Sequence, residues 1–347
     1  MTVSTISDVA RLAEVSPSTV SNVLNGRTER MSRETLERVQ RAVAELGFRP
    51  NRTARQLKTG QVQLLGLLVP SMGNPSYGLL AREIEAMARE HYGYRVIVAN
   101  TWRDPGQERA FVDDLWSQGV RGVIVISSLA DERHFEEPVE RGLVAVSYDS
   151  HARRDRRPIL DYVSADNVAG AALAVRHLAD HGHRTVAFLT PSARTFSRAE
   201  KREGFLAAAA ETGITPVVIA GATASAYADE EMAELGQSLA RPLIDHPARP
   251  TAAVAINDMM AIGLMAGLRE AGLDLPGDMS IVGMDGIPLG AYAAPPLTSI
   301  ALPLPELSRT MVDRIMLRLK APATVPGEFR FASALLTRAS VSSCVSS

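Results

Sequence analysis

The sequence predicts a small all-α head-piece joined to an α/β core of two doubly wound parallel-sheet subdomains. Three observations lead there. The first sixty residues hold three short helical patterns and ten basic residues against six acidic ones. From Gln61 onward, short continuous apolar runs alternate with helix-length stretches, as expected of parallel strands covered on both faces. Finally, 347 residues exceed one ordinary domain, and the apolar runs are too many for one compact sheet.

Composition mainly excludes. A chain that is 46% hydrophobic and 22% charged is globular, and its formal net charge of -2 gives no overall pull toward polyanions or membranes. Any such pull is confined to the basic head-piece. The single cysteine, Cys344, forbids an intramolecular disulfide. MTVSTISDVA lacks the basic patch and apolar core of a signal peptide, and no apolar run approaches the roughly 20 residues that span a bilayer. The expectation is a cytoplasmic protein with no membrane partner.

The elements follow in order. Thr5 and Asp8 have capping-box spacing ahead of an apolar face of Ile6, Val9, Ala10 and Ala13. Ser16 is placed to cap a second helix with Pro17 in its first turn and Val20, Val23 and Leu24 inward. Ser32 opens a third, with Leu36, Val39, Val43 and Leu46 inward and Gly47 as its stop. In FRPNRTARQLKTG, Pro50 blocks continuation, Asn51 can cap a brief helix from Arg52 to Leu57, and Gly60 ends it. Strands are then expected in LLGLLVPS, YRVIVANT, GVIVISS, LVAVSYD, RTVAFLTP, PVVIAG, AAVAIND and SIVGMDG, with helices near 77–91, 105–118, 167–181, 198–212 and 257–271.

The tight Glu14–Val15 connection between the first two helices fits a helix-turn-helix, and the outward face of the second helix carries only Ser, Thr and Asn. Short polar side chains reach base edges, whereas long cations serve to position a protein on phosphates. A plain helical hairpin is the competing reading. In the core, a cleft between two doubly wound subdomains is the default ligand site, with its polar groups at strand C-termini. Asp149, Asn257 and Asp285 each end an apolar run there; the competing role is helix capping, which is expected of Asp166 and Asp258 instead. His181 and His183 flank Gly182 at a helix end, without cysteine or HExxH spacing, and read as partners of the helix dipole rather than metal ligands. No P-loop or G-x-S-x-G elbow appears, so neither an enzyme nor a cofactor is expected.

TISDVARLAEVSPSTVSNVLNG, followed by SRETLERVQRAVAELGFRPNRTARQLKTG, resembles the head-piece of the lactose/galactose-repressor (LacI/GalR) family. The likeness continues through NPSY (74–77), DN (166–167), HLADHGHR (177–184), AIND (255–258), SIVGMDG (280–286) and PPLTSI (295–300). It implies a periplasmic-binding-protein-like core and a ligand-controlled transcriptional repressor that binds a pseudo-palindromic, double-stranded operator as a homodimer. By the resemblance, Pro17, Ser18 and Asn22 face bases in the major groove, while Ser16, Thr19, Ser21 and Asn25 lie near phosphates and Thr5 joins the DNA contacts. Pro17 has no side-chain donor or acceptor, so its part is to start the helix. Leu57 matches the leucine that wedges into a central minor-groove step, with Asn51, Arg52, Thr53, Ala54 and Lys58 beside it; the competing reading is a plain linker.

The same resemblance places Ser71, Asn74, Tyr77, Asp149, Asn257 and Asp285 at a small-molecule effector, sugar-like or nucleoside-like. The family's arginine three residues before Gly204–Phe205 is replaced by Lys201, with Arg202 next to it; both are candidates, although a lysine lacks the bidentate fork. Thr223 stands where a sugar-stacking aromatic is expected. The tail ALLTRASVSSCVSS has no heptads, which favours a dimer over a tetramer. The expected boundaries are a helix-turn-helix domain at 1–49, a hinge linker at 50–61 and a core at 62–347. Its subdomains are expected at about 62–163 plus 291–323 and about 164–290 plus 324–347. The rival is a solute-binding or sugar-processing protein sharing the cleft, against which stand the basic head-piece and the lack of catalytic groups.

Overall fold

A computed structural model describes residues 4–24, 27–28, 31–48, 62–126, 129, 131–152, 157–222 and 231–344. The chain divides into two compact units, Met1–Val62 and Gln63–Ser347.

The first unit contains α1 (Ile6–Leu12), α2 (Pro17–Leu24) and α3 (Arg33–Glu45). Thr5 caps α1 through a reciprocal box: Asp8 N donates to Thr5 Oγ1 at 3.3 Å and Thr5 N donates to Asp8 Oδ2 at 2.9 Å. After α1, Val15 N donates to Ala10 O and Glu14 N to Arg11 O, with Glu14 at φ +53. This is a Schellman ending, and its left-handed seat is one that glycine normally takes. The end of α3 repeats the pattern with Gly47 at φ +54, where Phe48 N donates to Val43 O and Gly47 N to Ala44 O. Val9, Ala10, Ala13, Val20, Val39 and Ala42 form the buried core. Leu36, expected inward, is only half-buried and does not join that core.

The second unit is built on two six-stranded sheets. In the first, β1 (Leu64–Val69), β2 (Arg95–Asn100), β3 (Gly122–Val125), β4 (Val144–Tyr148), β5 (Asp161–Ala165) and β11 (Glu328–Phe331) lie in the order β11-β5-β4-β3-β1-β2, all parallel. In the second, β6 (Thr185–Pro191), β7 (Thr215–Gly221), β8 (Ala252–Ala255), β9 (Ser280–Asp285), β10 (Thr298–Ala301) and β12 (Ala334–Leu336) lie in the order β12-β10-β9-β8-β6-β7, with β12 alone antiparallel. Both sheets reverse strand order beside a central strand, β1 or β6, which puts their ligand-binding crevices at the carboxyl ends of those strands.

Helices α4 (Pro75–Tyr92) and α12 (Leu304–Lys320) pack on the face of the first sheet that carries Leu65, Leu67 and Val69. Helices α5 (Pro105–Ser117) and α6 (Glu136–Glu140) lie with Leu68, Val123 and Val125 of the other face. That division follows from the two-residue repeat of a strand. Around the second sheet are α7 (Asn167–Asp180), α8 (Phe196–Thr212), α9 (Met232–Ser238), α10 (Ala240–Ile244) and α11 (Asp258–Glu270). None of the described helices is long and apolar enough to cross a membrane.

The chain passes between the two sheets three times, after Ala165, after Ala301 and after Phe331. This corrects the expected subdomain boundaries: β10 keeps residues 298–301 in the second sheet, and β11 places 328–331 in the first. These strands have four residues each, too short to reveal their partners by periodicity. Asp161 anchors the returning segments. Fully buried, it accepts from Arg314 Nε at 2.7 Å, Arg318 Nη1 at 2.9 Å and Gly327 N at 2.9 Å. A buried carboxylate is tolerated when cations and an amide replace its water in this way.

Candidate functional site

Two surfaces carry the candidate residues, one in each unit. On α2, Ser16, Pro17, Ser18 and Asn22 are exposed, Thr19 and Ser21 are half-buried, and Val20 is buried beneath them. The helix begins with a hydroxyl cluster: Ser16 Oγ lies 2.7 Å from Ser18 Oγ and 2.9 Å from Thr19 Oγ1, and accepts from Thr19 N at 3.1 Å. Hydroxyls both donate and accept, so the cluster can exchange these bonds for phosphate oxygens at little cost. Thr5 sits in its capping box, where its hydroxyl meets Asp8 Oδ2 at 2.7 Å. The exposed face holds no charged side chain, while Arg27 and Arg41 are exposed elsewhere on the unit. Asn25, Asn51, Arg52, Thr53, Ala54, Leu57 and Lys58 lie outside the described residues, as do the linker to which most of them belong and Thr223.

The second surface is the cleft between the sheets of the core. Its first wall comes from the N-terminus of α4, the turn after β2 and the end of β4. There Asn74 caps α4 by accepting from Ser76 N at 3.0 Å, and Tyr77 follows in the first turn. Arg103 donates to the Tyr77 hydroxyl at 2.8 Å. Asp149, at φ +60, turns its carboxylate to Asn167 of the opposite wall, which donates to it at 2.8 Å. The second wall holds Asn167, then Ser197, Arg198 and Lys201 of α8, then Asn257 and Asp285 at the ends of β8 and β9. Lys201 Nζ donates to Ile256 O at 3.1 Å and Arg198 Nη1 to Ala193 O at 3.1 Å.

A polar clasp spans the two walls. Asn167 also donates to Glu200 Oε2 at 3.0 Å, and Glu200 pairs with Arg330 of β11 at 3.1 Å. Because Arg330 and Asp149 belong to the subdomain of the first sheet and Asn167 and Glu200 to that of the second, these bonds link the subdomains directly.

Three expected roles change. Ser71 is buried with its hydroxyl accepting from Gly73 N at 3.0 Å, and it is not on the cleft wall. Arg202 is exposed and faces away from the cleft, because it lies about 100° around the helix from Lys201, which shares the face of buried Gly204 and Phe205. Asn257, not Asp258, caps α11, accepting from Met260 N at 2.8 Å while lining the cleft. Asp258 is instead fully buried, accepting from Ile287 N at 2.8 Å and from Ser299 Oγ. It thereby fixes the turn that follows Asp285. Asp166 does cap α7, accepting from Ala169 N at 2.9 Å.

The cleft includes residues the sequence did not single out: Arg103, Asn167, Ser197 and Arg198. Arg198 precedes Lys201 by three, a spacing that puts both on one helix face and was available as a signal. Arg103 had no such signal, since its direction is set by two successive left-handed residues, Trp102 at φ +49 and Arg103 at φ +55.

Burial shifts the acids of the cleft. Removal from water raises the Asp285 carboxyl to about 8; Lys201 pulls it down, and Asp258 and Asp149 push it further up. Burial likewise raises Asp258, opposed by its bond from Ser299. The Tyr148 phenol is pushed well above its ordinary value, chiefly by burial and then by Asp149 and Asp285. The histidine turn is occupied by structure: His183 Nδ1 lies 2.9 Å from Thr251 Oγ1 and its Nε2 3.2 Å from Ser342 O.

Residues 5–51 match the bacterial regulatory proteins of the lacI family, and residues 175–341 match the periplasmic binding protein-like domain. The chain is 30% identical over 343 residues to the HTH-type transcriptional regulator GalS of Salmonella typhimurium, covering 97% of this chain and 96% of that one. It is 31% identical over 343 residues to the ribose operon repressor of Escherichia coli strain K12, covering 97% and 99% respectively. Among solved structures, the lac repressor dimer bound to operator and the anti-inducer ONPF is similar at a TM-score of 0.81 and 26% identity, over 98% of this chain and 100% of that one.

Proposed function

The chain belongs to the lacI family of bacterial regulatory proteins, and from that premise we propose that it represses transcription as a homodimer on a pseudo-palindromic operator, controlled by a small polar effector in the cleft. The observation that carries this reading is the face of α2, where Pro17, Ser18 and Asn22 stand exposed without a charged neighbour on the same face. A surface helix in plain solvent gains solubility from Lys and Glu; a face of short amide and hydroxyl groups suits base edges instead. In this reading Asn22 faces an adenine, the Ser16–Thr19 cluster meets phosphate, and Leu57 of the 50–61 linker wedges into the central step. One head-piece offers a small interface, so two-fold pairing of two head-pieces supplies the affinity.

Control by the effector follows from the cleft. A ligand that binds one arrangement of the two walls more tightly than another shifts the population between them, and the linker passes that difference to the head-pieces. Asp149, Asn257, Asp285 and Lys201 are the proposed contacts.

A mobility-shift titration of the full chain against DNA from upstream of its own gene tests the reading. A shift that survives excess unrelated DNA at moderate salt is expected. Equal affinity for both DNAs, falling together as salt rises, would reduce the head-piece to a non-specific polyanion binder.

A further inference from the structure

We propose that His151 makes closure of the cleft pH-sensitive: with a proton on its ring it pairs with Glu200 across the two walls and holds the subdomains together. The consequence for regulation rests on the effector reading of the cleft, whereas the closure itself does not. His151 follows β4 on the wall of the first sheet, two residues after Asp149. Its ring crosses to the other wall and meets Phe196, the first residue of α8, with centroids 4.2 Å apart and planes tilted by 57°. Glu200 stands one turn further along α8, so one helix face offers the imidazole both an aromatic ring and a carboxylate. The clasp of Asp149, Asn167, Glu200 and Arg330 thus gains a fifth member, and this one belongs to the residue type that changes charge near neutral pH.

The ring is poised beside the carboxylate without yet bonding to it. Its Nδ1 is enclosed and has no hydrogen-bond partner among the described residues, and Glu200 Oε1 lies 3.9 Å away. That separation is too long for a hydrogen bond, yet a movement of about 1 Å gives the contact of a charge-assisted one. A neutral ring gains little there. A protonated ring meets a carboxylate already shielded from water, since the Glu200 side chain is only 15% exposed. Glu200 is also held in place beforehand, by Asn167 donating to Oε2 at 3.0 Å and by Arg330 at 3.1 Å from Oε1. Arg330 approaches the same oxygen as His151, and its charge opposes a second cation there, so the gain is modest. Among the described residues, the other charged groups around the clasp are Asp149 beside His151, Asp166 at the cap of α7, and Glu328 beside Arg330 on β11. Lys201 and Arg198 lie on the part of α8 that lines the cleft, where Lys201 pulls down Asp285 and Asp258. Because closing takes up a proton, the closed form gains population as pH falls and loses it as pH rises. A ligand that touches both walls binds the closed form, so its affinity moves in the same direction.

The test is single-molecule fluorescence transfer in the full chain, without ligand or DNA. Dyes insensitive to pH are attached at Gln107→Cys in α5 and Glu234→Cys in α9, two exposed positions on opposite subdomains, with Cys344→Ser to leave no other thiol. Between pH 8 and pH 6 the ratio of closed to open molecules should rise about twofold to fivefold, the range of a partly exposed ion pair. His151→Gln and Glu200→Gln should each remove most of that rise. His151→Phe, which keeps an aromatic contact with Phe196, should remove it as well, because charge and not stacking carries the effect. Burial raises Asp285 to about 8 and Glu132 to about 7, and their titration leaves a background common to all four chains. A rise of equal size in all four, or none in the parent chain, would overturn the inference. Glu200→Gln leaves the ring contact untouched and decides the matter should the His151 variants unfold. With no ligand present, either outcome leaves the effector reading standing, and the operator titration judges the regulator reading separately.

Discussion

Asn22 is the residue on α2 best equipped to tell one base from another, since its amide both donates and accepts at fixed geometry and it stands exposed. Asn22→Ala should weaken binding to the specific site by about 1–3 kcal/mol and leave binding to unrelated DNA unchanged, read from parallel mobility shifts. In the cleft, Asp285 carries a pH signature. Its carboxyl lies near 8 in the folded chain and near the ordinary value of about 3.9 unfolded, so the folded state binds the extra proton between those limits. Stability from this group is therefore complete below about pH 4 and is lost as pH rises through 8. Asp285→Asn should flatten the fall in melting temperature across that window; part of the slope persists because burial also raises Glu132 to about 7. An unchanged slope would mean that Asp285 titrates normally. At this scale the sequence was legible wherever local rules decide, as at the Thr5, Ser32 and Asp166 caps. It gave the cap of α11 to Asp258 in place of Asn257 because Asn and Asp cap about equally well, and only the contacts of Ile287 and Ser299 with Asp258 separate them.

At the scale of elements, the eight apolar runs became β1–β4 and β6–β9, and the five helical stretches became α4, α5, α7, α8 and α11. β5, β10, β11 and β12 have three to five residues each and escaped notice, because so short a run shows no period. Close packing was equally hidden. α9 and α11 approach through glycines: a Cβ on Gly263 would strike the Ala233 carbonyl, and one on Gly236 the Met260 carbonyl. Backbone cannot yield as a side-chain tip does, so Gly263→Ala should destabilise the core by about 1–3 kcal/mol in a denaturant melt despite alanine's better helix propensity. In the linker, Leu57→Ala should weaken specific operator binding well beyond non-specific binding, since a wedge acts only at a deformable central step. Equal losses on both DNAs would make 50–61 a simple tether.

For the core as a whole, the clasp of Asp149, Asn167, Glu200 and Arg330 joins the two subdomains across the cleft. Arg330→Met removes one member without adding charge and should shift the core toward a wider cleft. Faster hydrogen exchange at residues 166–170 and 197–201, confined to those helix starts, is the expected reading; uniform acceleration would instead report general destabilisation. Of these partners only Asp149 stood out in the sequence, as a strand-end polar group; Asn167, Glu200 and Arg330 did not, because each is a single polar residue whose meaning comes from the opposite wall. The three passages between sheets also set a timetable for assembly. β1 to β5 leave the ribosome early, but α12, which covers Leu65 and Leu67, and the edge strand β11 follow only after β10. A nascent chain therefore carries one face of its first sheet covered by α4 alone until the second subdomain is nearly complete, which marks that interval as the one in which it most needs a chaperone.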